Sequence, residues 1–280
     1  MRRSALEAEL ASVLGGAPQA RWLVDALAAD VGSNAELAPS VVDEARRRAG
    51  AVAAGWPLQY AIGTWGFRTL ELEVTNAVLI PRPETEQVVG AALSAWRAEP
   101  RPRCCILDLC TGSGAMGLSA WAELSAEGGE VSLTLSDLSA AALEVARANA
   151  RRCGAPPDTQ FALGDLYEPL PADLLGRVDL LLANPPYVAH EEVATLDLEV
   201  LAEPRMALVA EDGQTGVPGA ALCEAVLSGA APWLAPGAVL ALECAPPQVD
   251  RLVELAEALG TVTEVVDLAG RRRGLVVRCR

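Results

Sequence analysis

The sequence has one histidine and no Cys-x-x-Cys pair. His190 lies in a polar loop with Glu191 and Glu192, so a hydrogen-bonded loop role is expected for it, not a catalytic one. The seven cysteines are odd in number and form neither a zinc pattern nor a disulfide framework. We therefore expect no metal site, and we expect free thiols that are largely buried, as in a reducing compartment.

Long apolar runs and an excess of positive charge are also missing. No apolar stretch is long enough to span a bilayer, and Met1-Arg2-Arg3-Ser4 leads into acidic residues where a signal peptide would be apolar. The 22 Lys and Arg stand against 37 Asp and Glu, for a formal charge of −15. A surface that follows phosphates needs the opposite balance. The sequence thus predicts a cytoplasmic protein with no membrane partner and no direct nucleic-acid partner.

What the chain does have is length and apolar content, with 280 residues of which 51% are hydrophobic. This is enough for one large domain and one small domain. Residues 1–56 repeat apolar side chains at helical spacing and predict a helical domain of three or four elements, either for substrate docking or for packing alone. Residues 57–80 change to a spacing of two, and with Thr75-Asn76 as a turn signal they predict a β-hairpin connector. Residues 81–280 form the large domain.

Within the large domain, strand and helix patterns alternate, which predicts a parallel sheet wrapped by helices. The seven predicted strands are 104–109, 131–136, 159–163, 178–183, 238–244, 261–267 and 274–279. The predicted helices are 115–126, 140–152, 219–234 and 247–259.

A glycine-rich loop follows the first of these strands, in Asp108-Leu109-Cys110-Thr111-Gly112-Ser113-Gly114-Ala115-Met116-Gly117. Its glycines fit Gly-x-Gly-x-x-Gly, and Asp137 ends the next strand, which together make a dinucleotide fingerprint. Two further acids, Asp108 inside the strand and Asp165 after the third strand, favour S-adenosylmethionine over a dinucleotide as the cofactor. A nicotinamide-binding oxidoreductase or a nucleotide sensor remains an alternative, because each acid alone could be a helix N-cap.

The segment Asn184-Pro185-Pro186-Tyr187 ends an unbroken apolar run that predicts a strand buried on both faces. The Asn184 amide oxygen and a proline carbonyl offer two acceptors at a fixed spacing, which suits a planar NH2 group beside the Tyr187 ring. Such a group is a carboxamide or an exocyclic base amine, and catalysis would come mainly from positioning and electrostatics. A plain turn after a buried strand is the alternative.

With these residues, the sequence resembles the class I S-adenosylmethionine-dependent methyltransferases. More narrowly, it resembles the peptide chain release factor glutamine methyltransferases, the PrmC/HemK family. The loop Leu79-Ile80-Pro81-Arg82-Pro83-Glu84-Thr85-Glu86 and the helical N-terminal part carry the narrower resemblance. Asn-Pro-Pro-Tyr is also shared with DNA adenine enzymes. Cys110 departs from the family, which usually has glycine there, and Met116-Gly117 replaces a more usual aliphatic-small pair.

The resemblance implies an α/β, Rossmann-like fold with a seven-stranded sheet whose last strand is antiparallel. It implies methyl transfer from S-adenosylmethionine to the side-chain amide nitrogen of the Gly-Gly-Gln glutamine of release factors, with S-adenosylhomocysteine as product. Another Gln- or Asn-bearing peptide, or an adenine amino group, remains an alternative substrate. We expect the protein to act as a monomer.

The residues and the resemblance together predict the site. Asn184, Pro185 and Tyr187 are the expected catalytic residues. The expected cofactor contacts are Asp108, Cys110, Thr111, Gly112, Ser113, Gly114, Asp137, Asp165, Leu166 and Asn184. The expected substrate contacts are Arg82, Pro83, Glu84, Asn184, Pro185, Pro186 and Tyr187.

Overall fold

The structure is a computed structural model that describes residues 1–214 and 216–280. The described α-helices are α1 (Arg3–Ala11), α2 (Ala17–Ala28), α3 (Pro39–Ala53), α4 (Leu58–Ile62), α5 (Pro83–Ala98), α6 (Ala115–Ala126), α7 (Ala140–Cys153), α8 (Leu198–Leu201), α9 (Arg205–Leu208), α10 (Ala221–Ala230) and α11 (Val249–Ala256). The described strands are β1 (Thr64–Phe67), β2 (Leu70–Glu73), β3 (Arg103–Leu109), β4 (Glu130–Asp137), β5 (Gln160–Leu163), β6 (Val178–Ala183), β7 (Leu234–Glu243), β8 (Gly260–Val266) and β9 (Arg272–Cys279).

The helices α1–α4 pack around a hydrophobic core of their own. Leu6 and Leu23 are fully buried in it, and Ala61 on α4 is nearly so. The helical unit therefore reaches into the segment 57–80, where the sequence predicted only a hairpin. One turn of helix between Pro57 and the left-handed Gly63 is too short to show a helical period.

The hairpin β1–β2 is present, but its turn is not at Thr75-Asn76. Phe67 pairs with Leu70, so the turn consists of Arg68 and Thr69, and Thr75-Asn76 lies in a separate turn after β2. Arg68 has a φ of 52°, which glycine or asparagine would adopt more easily. Its backbone N–H donates to Glu86 and its guanidinium pairs with Glu123, and these distant contacts hold the turn without a local sequence signal.

The large sheet has the strand order β5-β4-β3-β6-β7-β9-β8. Its neighbours are parallel except that β9 runs antiparallel to both β7 and β8. The predicted seven-stranded sheet with an antiparallel last strand is confirmed. The largest differences between the predicted and the observed bounds lie around β7. This strand begins at Leu234, because Leu234 pairs with Val178, and α10 accordingly ends at Ala230.

Strand β6 lies at the centre and is buried on both faces. Leu180 and Leu182 face the core under α5, α6 and α7, while Leu181 and Ala183 face the core under α10 and α11. Side chains on a strand alternate between faces, so a strand covered twice needs apolar residues at every position. This confirms the interpretation of the unbroken apolar run.

The chain order of the strands reverses at β3, and that reversal positions the site. The chain runs outward from β3 through β4 to β5 and then returns to β6 on the other side of β3. The pairing of Leu109 with Ala183 brings the next residues, Cys110 and Asn184, to the same edge of the sheet. Open α/β sheets bind ligands at such a switch point, beyond the carboxyl ends of the strands.

Candidate active site

A cavity of about 300 Å³ lies beyond the carboxyl ends of β3, β4, β5 and β6. Its wall is completed by the segment that leads into α5 and by residues of α9. The sequence-predicted residues that line it are Arg82, Asp108, Cys110, Thr111, Gly112, Ser113, Asp137, Asp165, Leu166, Asn184 and Pro186. The predicted residues outside its lining are Pro83, Glu84, Gly114, Pro185 and Tyr187.

Asp108 ties the glycine-rich loop to the start of α6. Its Oδ2 accepts the Thr111 hydroxyl at 2.5 Å and the Gly117 N–H at 2.9 Å. Burial raises the pKa of Asp108 to about 7, although both donors act in the opposite direction. Gly117 has to be glycine, because a Cβ there would come within 2.6 Å of the Leu135 side chain and 2.9 Å of the Asp108 Cβ.

Asp137, the last residue of β4, organises the middle of the cavity. Its Oδ2 accepts the Gly112 N–H and its Oδ1 accepts the Ser139 N–H, each at 2.8 Å. Burial raises the pKa of Asp137, while these backbone donors oppose that rise. A carboxylate has about four acceptor positions, so both oxygens can still accept hydrogen bonds from a ligand's hydroxyl groups.

Two residues of the cavity wall adopt left-handed backbone conformations although they have side chains. Cys110 has a φ of 54° and Leu166 a φ of 41°, and within the described residues Arg68 is the one other non-glycine with positive φ. Such conformations cost about 1–2 kcal/mol and cluster at ligand sites. A positive φ is the conformation that glycine adopts without strain, which agrees with the glycine that the resemblance leads one to expect at position 110. Burial raises the pKa of the Cys110 thiol far above its usual range, so the thiol is neutral.

Asn184 is half-buried at the cavity. Its amide is held by a residue of the loop of residues 79–86, which is called the proline loop below. The Asn184 Nδ2 donates to Thr85 Oγ1 at 3.3 Å. Thr85 is buried in the first turn of α5, which begins at Pro83. Thr85 belongs to the loop that carries the family resemblance, but the sequence predicts no role for it. No local pattern marks it, because its partner is 99 positions away.

Tyr187 is placed differently from the expected stacking face. Its ring packs against the core on the α10 and α11 side, and its hydroxyl donates to Glu243 Oε1 at 3.1 Å. Burial raises its pKa well above the usual value. A buried phenol needs a hydrogen-bond partner, and the partner at Glu243 turns the Tyr187 side chain toward the core. The neighbouring residue Pro186 lines the cavity instead.

The proline loop is fastened to the segment after β6 by a buried carboxylate. Glu203 accepts the Ile80 N–H at 2.9 Å and pairs with Arg82, which lines the cavity. Burial raises the pKa of Glu203, and Arg82 opposes the rise. Glu84 faces away from the cavity lining toward Arg271 and Arg273, each 3.3 Å from its Oε1.

His190 and the cysteines other than Cys110 lie outside the cavity lining. His190 is exposed, with Glu211 at 3.1 Å and Arg205 at 3.3 Å from its ring nitrogens. All seven cysteines are free. Among residues 1–214 and 216–280, no three His, Cys, Asp or Glu side chains gather as they would around a metal ion. None of the helices in that part of the chain is long and apolar enough to cross a membrane.

Comparison with known proteins gives a consistent result. The family model "Methyltransferase small domain" matches residues 92–216. The release factor glutamine methyltransferase of Moorella thermoacetica is 39% identical over 241 residues, which cover 85% of this chain and 80% of that protein. The enzyme of the same name from Deinococcus radiodurans is 35% identical over 245 residues, covering 87% and 80%.

A solved structure supports the fold. The type I restriction-modification system methyltransferase subunit from Streptococcus thermophilus superimposes with a TM-score of 0.50 over 94% of this chain and 60% of that chain, at 15% identity. That identity relates the folds alone. The curated relatives, in contrast, are similar in sequence along most of both chains. This chain belongs to the release factor glutamine methyltransferase family.

Proposed function

We propose that the protein transfers a methyl group from S-adenosylmethionine to the side-chain amide nitrogen of a protein glutamine. The proposed substrate is the glutamine of the Gly-Gly-Gln motif in peptide chain release factors, in keeping with the names of the relatives. One observation carries the proposal. Asp108, the glycine-rich loop that follows it and Asn184 all line a single cavity, so a methyl donor and an acceptor amide would meet there.

The cofactor end of the cavity suits the adenosine and amino-acid parts of S-adenosylmethionine. A Cβ added to Gly112 would meet no protein atom within 4 Å, so the loop leaves open space at the place where a ligand would contact its backbone. Asp137 has acceptor positions left for ribose hydroxyls. Asp165 and the backbone of Leu166 would lie beside the adenine, and Cys110 to Ser113 beside the methionine part.

The acids at this end also suit a cation. The bound cofactor supplies an electrophilic methyl group on a positively charged sulfur. Burial raises the pKa of both Asp108 and Asp137, and a positive charge in the cavity would favour their ionised forms. Because the pKa of Asp108 is about 7, we expect binding of the cation to release a proton from Asp108 near neutral pH.

At the other end, Asn184 would hold the glutamine amide. Its Oδ1 and the Pro185 carbonyl would accept the two N–H hydrogens, which fixes the plane of the amide and draws electron density toward its nitrogen. An amide nitrogen is a poor nucleophile, so alignment with the methyl carbon and electrostatic stabilisation would supply most of the rate gain. As the new N–C bond forms, the bond between the methyl carbon and the sulfur would break, and the surplus amide proton would then pass to water.

We also propose that the helical unit at the N-terminus docks the protein substrate. It has its own core, and it reaches the cavity wall through Tyr60, whose hydroxyl donates to the Val78 carbonyl at 2.5 Å. Removal of residues 1–62, which takes away α1–α4 together with Tyr60, is then expected to raise KM for a release factor more than it weakens binding of S-adenosylhomocysteine. Equal losses would give the unit a role in stability alone, and circular dichroism would establish that the remaining domain is folded.

The substrate assignment is tested with three acceptors. The protein is incubated with methyl-labelled S-adenosylmethionine and a release factor, the same factor with its Gly-Gly-Gln glutamine changed to alanine, or a DNA duplex containing adenine. We expect label in the unmodified factor only. Label in both forms of the factor would move the target elsewhere, and label in DNA would favour the adenine alternative.

A further inference from the structure

Glu243 is a buried carboxyl group for which the proposed reaction has no assigned use. It ends β7, its side chain is 1% exposed, and its Oε1 accepts the Tyr187 hydroxyl. Its Oε2 is buried and has no hydrogen-bond partner in the part of the chain that the structure describes. A buried carboxyl oxygen without a partner is costly, so its retention calls for a physical reason.

Asn184 and Glu243 lie side by side, because they directly follow Ala183 and Leu242, which pair on the neighbouring strands β6 and β7. Thr85 contacts the first of them, since its Oγ1 accepts the Asn184 Nδ2 hydrogen, and the Thr85 hydroxyl also lowers the pKa of the Glu243 carboxyl group. Since the Thr85 oxygen accepts from Asn184, its own hydrogen is available for Glu243. A hydroxyl can donate and accept, so Thr85 alone would serve either orientation of the Asn184 amide.

We propose that Thr85 and Glu243 are positioning residues that fix the direction in which the Asn184 amide faces. An ionised carboxylate can only accept, so Thr85 must donate to Glu243 and must then accept from the Asn184 nitrogen. The Asn184 oxygen is thereby turned toward the cavity, where it can accept from a substrate NH2. The inference rests on the proposed role of Asn184 and adds how that role is maintained.

The proposed chain of hydrogen bonds from Glu243 through Thr85 to Asn184 is called the relay, and the charge state of Glu243 controls its direction. Burial raises its pKa to about 7; Glu84 raises it further, while Thr85, Tyr187 and Arg273 oppose the rise. The neighbouring thiols of Cys223 and Cys244 are neutral, because burial raises both of their pKa values far above the usual range. A protonated Glu243 could donate to Thr85, which would then donate to the Asn184 oxygen and turn the NH2 group toward the substrate. Turnover is therefore expected to fall as the pH falls through about 7.

Kinetics of four variants test the relay, with methyl transfer to a release factor as the assay. We expect Thr85→Val and Glu243→Gln each to lower kcat at least tenfold, with the affinity for S-adenosylhomocysteine within twofold of the unmodified protein. Thr85→Ser, which keeps the hydroxyl, should retain kcat within about threefold. Thr159→Val is the matched control, because the Thr159 hydroxyl donates to the Pro156 carbonyl outside the cavity. A kcat for Thr85→Val or Glu243→Gln equal to that of the control would overturn the proposal.

The pH profile separates orientation from packing. The unmodified protein should lose turnover below about pH 7, and Glu243→Gln should lose the part of that dependence that comes from Glu243. Asp108 is also expected to titrate there, so the comparison uses the difference between the two profiles. Identical profiles would contradict the relay even if kcat were lowered.

A spectroscopic measurement tests the relay without turnover. In the ¹H–¹⁵N spectrum of the whole protein, the side-chain amide of Asn184 is assigned by its loss in Asn184→Ala. We expect one of its protons to be shifted downfield and protected from exchange, and Thr85→Val to remove both effects while Thr85→Ser keeps them. If Asn184→Ala leaves turnover unchanged, the proposed role of Asn184 is wrong. If Asn184→Ala lowers turnover but the Thr85 and Glu243 variants do not, only the relay is wrong.

Discussion

The two ends of the cavity are built from contacts of different range. At the cofactor end, Asp108 binds Thr111 and Gly117 within nine positions, and Asp137 binds Ser139 two positions away and Gly112 across 25. At the substrate end, Asn184 reaches Thr85 across 99 positions and Tyr187 reaches Glu243 across 56. The cofactor end is therefore encoded mainly by short motifs on two paired strands, β3 and β4, whereas the amide end needs side chains from three more distant parts of the chain.

Asn184→Ala is the sharpest way to separate the two ends. We expect kcat to fall about 100-fold or more, since loss of one well-placed polar group in an active site typically costs that much. Binding of S-adenosylhomocysteine, measured by calorimetry, should change little. The exposed Asn76, changed to alanine, is the matched control. Loss of cofactor binding in step with turnover would show that Asn184 belongs to the cofactor end.

Asp137→Asn disturbs the opposite end. Loss of the charge that accepts two ribose hydroxyls should weaken S-adenosylhomocysteine binding by about 1.5–3 kcal/mol, which is tenfold or more in Kd. KM for the release factor should stay near its original value. Asp158→Asn, an exposed change before β5, serves as the control. If KM for the protein substrate rose instead, the two ends would not be separable.

The raised pKa of Asp108 predicts a pH dependence of cofactor binding. Below about pH 7 the carboxyl group is protonated in the ligand-free protein, so the charged S-adenosylmethionine must displace a proton before it meets a carboxylate. Affinity for S-adenosylmethionine should therefore fall by up to about tenfold per pH unit below 7, while the uncharged sulfur of S-adenosylhomocysteine gives a weaker dependence. Calorimetry in buffers of different ionisation enthalpy measures the proton release. Equal release for both ligands would disprove this account.

The same burial predicts a trend in stability. The folded-state pKa of Asp108 lies above the usual value of an unfolded chain, so the native state binds more protons between about pH 4 and 7. The contribution of this group to the free energy of unfolding is then lost at about 1.4 kcal/mol per pH unit as the pH rises through that window. Asp108→Asn should remove this component, as measured by urea unfolding at pH 5 and pH 8. An unchanged difference between the two pH values would show that Asp108 does not titrate there.

Cys110→Gly should have the smallest effect. Glycine relieves the left-handed strain of about 1–2 kcal/mol but adds freedom to the unfolded chain, so the two changes largely offset each other. We expect Tm within a few degrees of the original and unaltered turnover. Cys105→Ala, on β3 and outside the cavity lining, controls for loss of a thiol. A large loss of turnover would show that the thiol itself contacts a ligand.

Sequence reasoning predicted most of the sheet because its signals are local. Strand β6 was predicted with its bounds, since a strand covered on both faces has apolar residues at every position. The hairpin turn at Arg68 was missed because distant acids hold it. The short helices α8 and α9 were missed because four residues are too few to show a period.

The site divides in the same way. Asp108 and Asp137 were predicted from their places at strand ends, and both line the cavity. Thr85 and Glu243 had no assigned role, because each matters through a partner from another part of the chain. Tyr187 was expected to face the substrate, but a hydrogen bond to a buried carboxyl group decides its direction.

The position of the transferred methyl group is the decisive observation for methylation of a glutamine side chain. After incubation of a release factor with this protein and S-adenosylmethionine, tandem mass spectrometry of the peptide that contains Gly-Gly-Gln locates the added mass. We predict one methyl group on the side-chain amide nitrogen of that glutamine, and none when Asn184→Ala replaces the unmodified protein over the same time. A methyl group on any other residue, or an unmodified peptide after full turnover of the cofactor, would contradict this prediction.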